Sequence, residues 1–414
     1  MITHNKKPEL LAPVGGKEQL KAAINFGADA VYLSGKQFGM RAKAQNFELN
    51  ELKEAVSYSH NKNVSVYVTC NVLMYDSDID KLIEYCKFLE SIRVDGVIVS
   101  DLGAVSIIRK QCPNLNIHIS TQASTTNSYT AKVWANLGAK RVVIAREMTL
   151  KQIESLTNVL NNSKTKVDIE CFIHGAMCMS VSGRCLISAY LTGRSANRGL
   201  CTQPCRWGYN LVEERRPGQN FEISEDNYGS YIMNSHDMCM IEHLDKLANA
   251  GIDSFKIEGR NKKSLYVATV VNAYRHVIDA IGTKDYKSSV ETYKKEMYKV
   301  SHRPYSTGFY FSNPQQSVDY DGYEQECIHV ADVVSCADDT VTVLCRNRFE
   351  NNQELEALIP GGKIEKFKIS SLTYKNKRID VANRAKEMYT FKTNKKLLAD
   401  SLIRTTQYLR TKRK

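Results

Sequence analysis

The chain has 414 residues, 43% of them hydrophobic and 25% charged, which is long enough for two globular domains. Lys and Arg outnumber Asp and Glu by 57 to 45, and the net charge of +12 favours a polyanionic partner such as RNA, although charge alone does not establish one. No run of eighteen apolar residues occurs and the first residues are polar, which excludes a membrane-spanning protein and favours a cytoplasmic one.

The first 285 residues alternate short β-branched runs with amphipathic helical segments, a pattern typical of a parallel sheet covered by helices. Eight strands are predicted, beginning at Glu9, Ala30, Val64, Gly96, Asn116, Arg141, Val167 and Ser254. Helical segments such as KEQLKAAINFG and LKQIESLTNVL lie between them, so we predict a (β/α)₈ barrel of the TIM type. A doubly wound open sheet is less favoured because LLAPVGGKEQL contains no glycine-rich phosphate loop.

A long, cysteine-rich insertion follows the seventh predicted strand. Val167 and Ser254 are 87 residues apart, whereas the earlier strand starts are separated by 20 to 34 residues. Loops after barrel strands lie at the carboxyl-terminal face, where barrel enzymes have their active sites, so we expect the insertion, residues 175–235, at that face. Polar residues that end the predicted strands are expected to meet there: Ser34, Asn71, Asp101, Gln122, Arg146, His174, Glu258 and Arg260.

From about residue 303 the pattern changes to short alternating strands separated by turn signals. The predicted strands are GFYFS, CIHVADVVSC, TVTVLCRN, ELEALIPGG, IEKFKISSL and MYTFKTN. They predict a small C-terminal β-barrel domain, residues 303–414, beside a barrel domain of residues 1–302. Contact with RNA or protein and a purely structural role are both open for this second domain.

Four cysteines of the insertion, Cys178, Cys185, Cys201 and Cys205, indicate a metal or cluster site, because a reducing cytosol disfavours structural disulfides. Six residues separate the first two, which is too wide for a usual zinc knuckle, whereas an iron–sulfur cluster tolerates irregular spacing because each thiolate binds a different iron. Zinc and metal-free redox thiols remain alternatives, and Cys239 is either a fifth ligand or a core residue. Four scattered cysteines are predicted to be core residues: Cys70, Cys86, Cys112 and Cys345.

Arginines near the same face suit an anionic substrate or an RNA backbone, since a guanidinium binds a carboxylate or phosphate through two parallel hydrogen bonds. The candidates are Arg184 in SGRC, Arg206 in PCRW and Arg260 in EGR. Salt bridges with Glu258 or Glu170 are the alternative for each. His174 is a candidate general base or hydrogen-bond donor to substrate, or a residue that holds its loop.

The strings ECFIHGAMCMSVSGRCLIS, RGLCTQPCRW, NSHDMC and SFKIEGR resemble the collagenase-like peptidases of family U32, and in particular the tRNA-hydroxylation branch of that family. The resemblance covers essentially the whole chain, including ELLAPVG, GADAVYLSG and STQAS. It implies an oxygen-independent RNA hydroxylase that depends on an iron–sulfur cluster, expected to be [4Fe–4S]. Prephenate would serve as the hydroxyl donor or co-substrate, and the product would be 5-hydroxyuridine at the wobble position of tRNA.

The resemblance also implies roles for particular residues. Cys178, Cys185, Cys201 and Cys205 match the cysteine pattern of the tRNA branch and would ligate the cluster, with Cys239 as a possible replacement for one of them. Arg184 and Arg260 would hold the carboxylates of prephenate, and together with His174 and Glu258 they form the predicted catalytic set. The basic surface and the C-terminal domain would hold the tRNA, and a paralogous subunit is a further candidate partner.

Two other functions stay open at this point. A collagenase-like peptidase would match the family name, but the chain contains neither HExxH nor GxSxG. Cys178 with His174 as its base is a weaker hypothesis, since it leaves the neighbouring cysteines without a role. The other alternative is an accessory subunit that binds RNA without catalysing a reaction.

Overall fold

The computed structural model describes residues 7–41, 44–178, 180–207, 211–212, 220–221, 225–226, 229–230, 236–312 and 323–406. Within these ranges the strands up to residue 306 are β1 (Glu9–Pro13), β2 (Ala30–Leu33), β3 (Ser65–Cys70), β4 (Gly96–Val99), β5 (Ile117–Ile119), β6 (Ala139–Val143), β7 (Asp168–Ala176), β8 (Leu211–Val212), β9 (Asn220–Phe221), β10 (Glu225–Asp226), β11 (Gly229–Ser230), β12 (Asp237–Cys239), β13 (Ser254–Ile257) and β14 (Tyr305–Ser306). The helices are α1 (Lys17–Asn25), α2 (Leu49–His60), α3 (Asp76–Ser91), α4 (Leu102–Gln111), α5 (Ser128–Asn136), α6 (Leu150–Asn161), α7 (Ile187–Thr192), α8 (Leu244–Asn249), α9 (Ser264–Ala280) and α10 (Tyr286–Met297).

Eight parallel strands close into a barrel. Strands β1 to β7 pair in sequence order, and β13 pairs in parallel with both β7 and β1. Their short apolar runs are buried along almost their whole length, as expected for parallel strands covered on both faces. The (β/α)₈ barrel and its eight predicted strands are therefore confirmed. None of the described helices is both long and apolar enough to cross a membrane.

The helices follow from local sequence as well as from burial. In α6 the Thr149 side chain and Gln152 form a capping box, which satisfies backbone donors at the helix start. The buried side chains Ile153, Leu156 and Leu160 recur at three- and four-residue spacing, which turns one face of α6 to the barrel. Helix α9 is buried on nearly all sides, because it lies between β1, α1 and α10.

A buried ion network fills the inside of the barrel. The Arg141 Nη1 atom lies 2.6 Å from Glu9 Oε1 and 3.2 Å from Glu170 Oε2, and Lys256 Nζ lies 2.8 Å from Glu170 Oε1. Burial opposes the ionisation of Glu170, but Lys256 and Arg141 outweigh it and hold the pKa of this carboxyl below its usual value. Glu170, which was a predicted salt-bridge partner of the mouth arginines, thus pairs with Arg141 and Lys256 instead.

The last residues of β7 extend beyond the barrel and pair antiparallel with β12. Strand β12 in turn pairs in parallel with β14. The prediction of a strand at GFYFS is wrong. Residues 308–312 form a turn and bends that come after β14. Tyr310 from this segment packs into the core of the barrel, and its hydroxyl donates to the Phe172 carbonyl at 2.7 Å. The later half of the predicted insertion lies largely outside the described residues.

The C-terminal domain is an antiparallel sheet around its own core. Its strands are β15 (His329–Ala337), β16 (Thr340–Cys345), β17 (Phe349–Glu350), β18 (Glu354–Leu358), β19 (Ile364–Lys368), β20 (Ser370–Tyr374), β21 (Lys377–Arg378), β22 (Val381–Ala382), β23 (Met388–Lys392) and β24 (Leu402–Thr405). Eight of them form one sheet in the order β19-β18-β24-β15-β16-β23-β20-β21, and β17 pairs with β22. Phe349, Phe367 and Phe391 lie in its core. The structure confirms the predicted C-terminal β domain and the burial of the four scattered cysteines.

A buried charge cluster joins the two parts of the molecule. Arg404 of β24 is fully buried and lies 2.5 Å from Glu296 Oε2 of α10 and 2.7 Å from Glu356 Oε2 of β18. Lys299 lies 2.7 Å from Glu296 and 2.9 Å from Glu356. Arg404 also donates to the Thr269 hydroxyl of α9 at 3.3 Å, so the cluster links the C-terminal sheet to the last two helices.

Candidate functional site

A cavity of about 700 Å³ opens at the carboxyl-terminal end of the barrel strands. Its walls come from the ends of β2, β3, β5, β6, β7 and β13 and from the start of the cysteine-rich insertion. All four predicted ligand cysteines line it: Cys178, Cys185, Cys201 and Cys205. The prediction that these thiols lie at the mouth of the barrel is therefore met by the structure.

The path of the chain from β7 into the cysteine-rich insertion depends on a glycine near the end of β7. Gly175 has φ of +106°, and a Cβ atom there would collide with the backbone carbonyl of Glu258. Glycine is the residue that accepts both the left-handed backbone and the close approach. The HGA string thus lets β7 run beside the Glu258 segment and deliver Cys178 to the rim.

The loop carrying Cys178 and Cys185 is anchored to the barrel by a carboxylate. The Ser182 backbone N–H donates to Glu147 Oε1 at 2.7 Å, and the Ser182 hydroxyl donates to Glu147 Oε2 at 3.1 Å. Glu147 follows β6, and Ser182 has φ of +48° at the tip of the loop. Since one carboxylate holds both polar groups of Ser182, the loop between the two cysteines is tied to the β6 end of the barrel.

A second anchor holds the later part of the insertion. The Cys185 N–H donates to Asn197 Oδ1 at 3.2 Å, and Asn197 Nδ2 donates back to the Cys185 carbonyl at 3.1 Å. Arg198 lies 2.5 Å from Asp78 of α3, and the Leu73 N–H donates to the Asn197 carbonyl at 2.8 Å. Cys185 is thereby connected through Asn197 to the loop that precedes α3.

The thiols share a cavity without forming the ligand shell of one ion. Among the residues that the structure describes, no three His, Cys, Asp or Glu side chains are arranged to hold a single metal ion. An iron–sulfur cluster is held by four cysteine thiolates, each bound to a separate iron. Four cysteines around one cavity fit the donor set of a cluster.

A carboxylate lies between two arginines in the same cavity. Glu258 Oε2 is 3.5 Å from Arg41 Nη2 and 3.4 Å from Arg146 Nη2. Burial opposes the ionisation of Glu258, but the arginines outweigh it and keep the pKa of this carboxyl below its usual value. Arg146 is held further by the Ala176 carbonyl at 2.9 Å and by the face of Phe172.

Arg260 is a different kind of cation. It is 3% exposed, and its partners are the Thr69 hydroxyl, 3.3 Å from Nη1, and the Asn46 amide oxygen, which contacts Nη2. No carboxylate pairs with Arg260 within the described part of the chain, and burial lowers the pKa of Arg260 to about 10. Its hydrogen-bond partners are neutral, and Glu258 interacts with it electrostatically without forming a salt bridge, so the guanidinium can still bind an incoming anion.

Amide and hydroxyl side chains at the ends of β3 and β5 also line the cavity. Asn71 Nδ2 donates to Gln122 Oε1 at 2.7 Å and to the Ser120 hydroxyl at 3.3 Å, while Asn71 Oδ1 is buried without a protein partner among the described residues. The predicted meeting of strand ends is confirmed for Asn71, Gln122, Arg146, Glu258 and Arg260, which all line the cavity.

Two other strand-end residues serve local structure. Ser34 is fully buried and donates to the Gly35 carbonyl at 2.8 Å. Asp101 caps α4 by accepting from the Ala104 N–H at 2.8 Å. Neither lines the cavity, because each side chain is turned toward its own chain segment.

His174 and Cys239 lie behind the cavity wall rather than on it. They face each other in the β7–β12 register, and the Tyr274 hydroxyl lies 3.2 Å from His174 Nδ1 and 3.7 Å from Cys239 Sγ. Burial lowers the pKa of His174 to about 3 and raises that of Cys239 to about 11. The structure therefore does not bring either residue to the four thiols, and His174 supports the β7 end among aromatic rings.

Arg184 also lies apart from the cavity. It is exposed and lines a separate, shallow groove with Asp101, Leu102 and Trp134. Arg184 and Arg260 consequently do not face a common ligand, contrary to the shared role predicted for them. The side chain of Arg206 lies outside the described residues.

Arg41 and Glu147 are among the cavity residues that sequence reasoning missed. Each lies in a loop that follows a predicted strand, which is the one signal that would have indicated them. Arg41 follows β2 within GMRAKAQN and Glu147 follows β6 within AREMTL, and neither string contains a recognisable motif.

Fold and site together define the class of this molecule, a (β/α)₈-barrel protein with a charged, thiol-lined cavity where barrel enzymes bind their substrates. A model described as Peptidase family U32 matches residues 15–319, and one described as Peptidase family U32 C-terminal domain matches residues 325–404. The chain belongs to peptidase family U32, as its cysteine strings and KIEGR predicted.

Relatives in this family carry two kinds of name. An uncharacterized protease of Methanocaldococcus jannaschii is 43% identical over 318 residues, covering 77% of this chain and 76% of the relative. The tRNA hydroxylation protein P1 of Bacillus subtilis is 35% identical and covers 96% of this chain and 95% of its own. The tRNA hydroxylation protein P of Escherichia coli is 32% identical, with coverage of 86% and 87%. The chain is thus similar over nearly its full length to proteins named for RNA hydroxylation.

Proposed function

We propose that this chain is an RNA-modifying hydroxylase that forms 5-hydroxyuridine at the wobble position of tRNA. The full-length similarity to proteins named for tRNA hydroxylation supports the reaction class. The observation that carries the proposal for this chain is the cavity itself. It combines four thiols with the buried cation of Arg260, which forms no salt bridge, and so can hold both a redox cofactor and an anionic donor.

The proposed cofactor is an iron–sulfur cluster held by Cys178, Cys185, Cys201 and Cys205. Bound there, it would supply electron transfer or activation of the donor at the mouth of the barrel. The protein contributes the rigid placement of the thiols, through Glu147 on one side of the loop and Asn197 on the other. It also contributes a partly enclosed cavity that limits access of water to the reacting groups.

The proposed donor is a small dicarboxylate, prephenate. Arg260 would bind one carboxylate, because a buried guanidinium with neutral neighbours gains a charge-assisted pair of hydrogen bonds without first breaking an ion pair. Arg41 and Arg146 are already paired with Glu258, so they would hold this carboxylate in place beside the donor. The Asn71 amide, with its unpartnered oxygen, offers a neutral contact on the facing wall.

Among the residues that the structure describes, no geometric feature favours the peptidase alternative. Hydrolysis by a cysteine needs a base within hydrogen-bonding reach, and His174 does not line the cavity that contains Cys178. Gelatin cleavage by the purified chain that is abolished by Cys178→Ser would nevertheless establish it. An accessory role would require that the purified, cluster-loaded chain modify tRNA only after a second polypeptide is added.

The first test compares tRNA nucleosides, by mass spectrometry, from a strain that lacks this gene and from its parent. We expect loss of a hydroxyuridine-derived nucleoside, restored by the wild-type chain but not by Cys185→Ser. The purified variant should lack the visible absorption of a cluster while its far-ultraviolet circular dichroism is unchanged, because Cys185 lies in a loop outside the barrel. A variant that retains full absorption and activity would contradict the cluster assignment, and Cys345→Ser in the C-terminal core is the control.

A further inference from the structure

The positive charge of this chain is concentrated at one end. Residues 363–414 contain sixteen Lys and Arg against four Asp and Glu, a balance of +12 that equals the net charge of the whole chain. Residues 1–362, which include the whole barrel, are therefore neutral overall. A polyanion would be attracted to the end of the C-terminal domain and not to the barrel as a whole.

Most of these cations are exposed and free of carboxylates. Residues 363–396 contain eleven Lys and Arg against three Asp and Glu. Three of the lysines form ion pairs, Lys363 and Lys395 with Glu365 and Lys392 with Asp339. Within the described part of the chain the others are exposed and have no carboxylate partner: Lys366, Lys368, Lys375, Lys377, Arg378, Arg384, Lys386 and Lys396. So many unpaired cations in 34 residues form a surface that intramolecular ion pairs do not neutralise.

The densest part of this surface surrounds Tyr374. Strand β20 turns tightly into β21 through Lys375 and Asn376, whose φ values are +49° and +64°, and this turn places Lys377 opposite Tyr374 in the strand register. Lys375 Nζ lies 5.2 Å from the centre of the Tyr374 ring, and Arg384 Cζ, from the segment before β23, lies 5.4 Å from it. We name this set of residues the Tyr374 patch: Tyr374, Lys375, Lys377, Arg378, Arg384 and Lys386.

The geometry of the Tyr374 patch suits a phosphate backbone. Its cations lie on a hairpin and an adjoining segment that are fixed by backbone pairing, so binding orders few additional groups. Tyr374 is half-buried, packs 5.1 Å from the Tyr389 ring and donates its hydroxyl to Glu387 at 3.4 Å. Its ring is therefore a support for Lys375 and Arg384 and not a free platform for stacking bases. Charge without an exposed aromatic face favours sequence-independent phosphate contacts.

We propose that the Tyr374 patch is the surface on which the RNA substrate docks through its phosphate backbone. The inference rests on the proposed RNA substrate, but it is independent of which nucleoside is modified and of the cofactor. It assigns a role to the C-terminal domain, which holds the RNA while the neutral barrel presents the reacting groups.

The test measures binding of an unmodified tRNA transcript to the full chain by fluorescence anisotropy at several KCl concentrations. The variant Lys375→Gln/Lys377→Gln/Arg384→Gln removes three charges from the patch. The matched control, Lys62→Gln/Lys110→Gln/Lys164→Gln, removes three exposed lysines from the barrel. Each lost phosphate contact reduces the slope of log affinity against log salt by about 0.7 to 0.9, so we expect a decrease of about 2 to 3 in the patch variant and little change in the control.

The proposal would be overturned if the slope of log affinity against log salt were equal for the wild type and the patch variant. An acidic protein would then be the candidate partner of this surface. Nucleoside analysis in cells separates this failure from failure of the proposed function. Normal hydroxylation together with equal slopes contradicts the docking surface alone. Unchanged nucleosides in a deletion strain, together with a reduced slope in the patch variant, contradict the hydroxylation and support the docking surface.

Discussion

Arg260 is the residue whose surroundings differ most from those of an ordinary buried arginine. Its partners are a hydroxyl and an amide, and burial lowers its pKa to about 10. By contrast, Arg141 inside the same barrel contacts Glu9 and Glu170, and Arg404 at the domain junction contacts two glutamates. A buried guanidinium without a salt bridge costs free energy that the more distant Glu258 offsets only in part, and an anionic ligand would supply the missing partner.

We therefore predict that substitution of Arg260 lowers activity with the carboxylate donor without lowering the stability of the fold. Arg260→Gln should lower kcat/KM for the carboxylate donor about 10- to 100-fold, because a charge-assisted contact contributes about 1.5 to 3 kcal/mol. The same substitution should leave the free energy of unfolding unchanged or raise it, since it removes a buried charge that forms no salt bridge. Donor kinetics and urea unfolding measure the two effects.

Arg109→Gln is the control for Arg260, because Arg109 lies on α4 and is outside the cavity. A large loss of stability in Arg260→Gln with donor kinetics unchanged would show that Arg260 is structural.

At the scale of elements, the loop between β7 and α7 needs external support. It consists of short turns, and its cysteine side chains contribute little burial of their own. Its attachments are polar, Ser182 to Glu147 and Cys185 to Asn197. Short polar loops of this kind adopt one conformation only when their backbone donors are satisfied by the surrounding structure.

Glu147→Gln should therefore impair cofactor loading without affecting the barrel. Glutamine could accept from the Ser182 N–H and donate to the Ser182 hydroxyl, but both hydrogen bonds would lose the assistance of the carboxylate charge. We expect less iron and sulfide bound per chain after reconstitution, while the thermal unfolding temperature changes by only a few degrees. Glu154→Gln on the exposed face of α6 is the control. Wild-type iron content in Glu147→Gln would show that the loop is held by other contacts.

At the scale of the whole molecule, the barrel and the C-terminal sheet are coupled through Arg404, Lys299, Glu296 and Glu356. Burial opposes the ionisation of Glu356, but Arg404 and Lys299 outweigh it and keep its pKa low. The charges therefore persist at neutral pH inside the junction. Breaking a buried pair by removing one partner leaves an uncompensated charge, which typically costs about 3 to 5 kcal/mol.

Arg404→Met should consequently destabilise the chain by about that amount or separate the unfolding of the two parts into two transitions. Adding Glu296→Gln alone to Arg404→Met should restore part of the lost free energy, because Lys299 and Glu356 then remain as one matched ion pair. Urea unfolding followed by circular dichroism measures both variants. Wild-type stability of the single variant would exclude the cluster as the main link between the domains.

The barrel could be predicted from the sequence because its physical basis is local. Parallel strands that are buried on both faces appear as short apolar runs such as GVIV and AVYL, and the helices between them appear as apolar residues at three- and four-residue spacing. Residue type misidentified GFYFS, because its three consecutive aromatic residues favour a strand. They pack individually instead, Tyr310 in the core of the barrel and Phe311 against the His243 ring.

The candidate site was predictable in part. The sequence by itself determined that four thiols would lie at the carboxyl face, since loop position follows from strand order, and it determined which family the chain resembles. Only the tertiary structure decided which charges meet. It joined Glu258 to Arg41 from a distant loop, left Arg260 without a salt bridge, and turned Arg184 and His174 away from the cavity. Ion pairing and desolvation depend on distances of a few ångströms between segments that are far apart in the chain, and no local pattern encodes those distances.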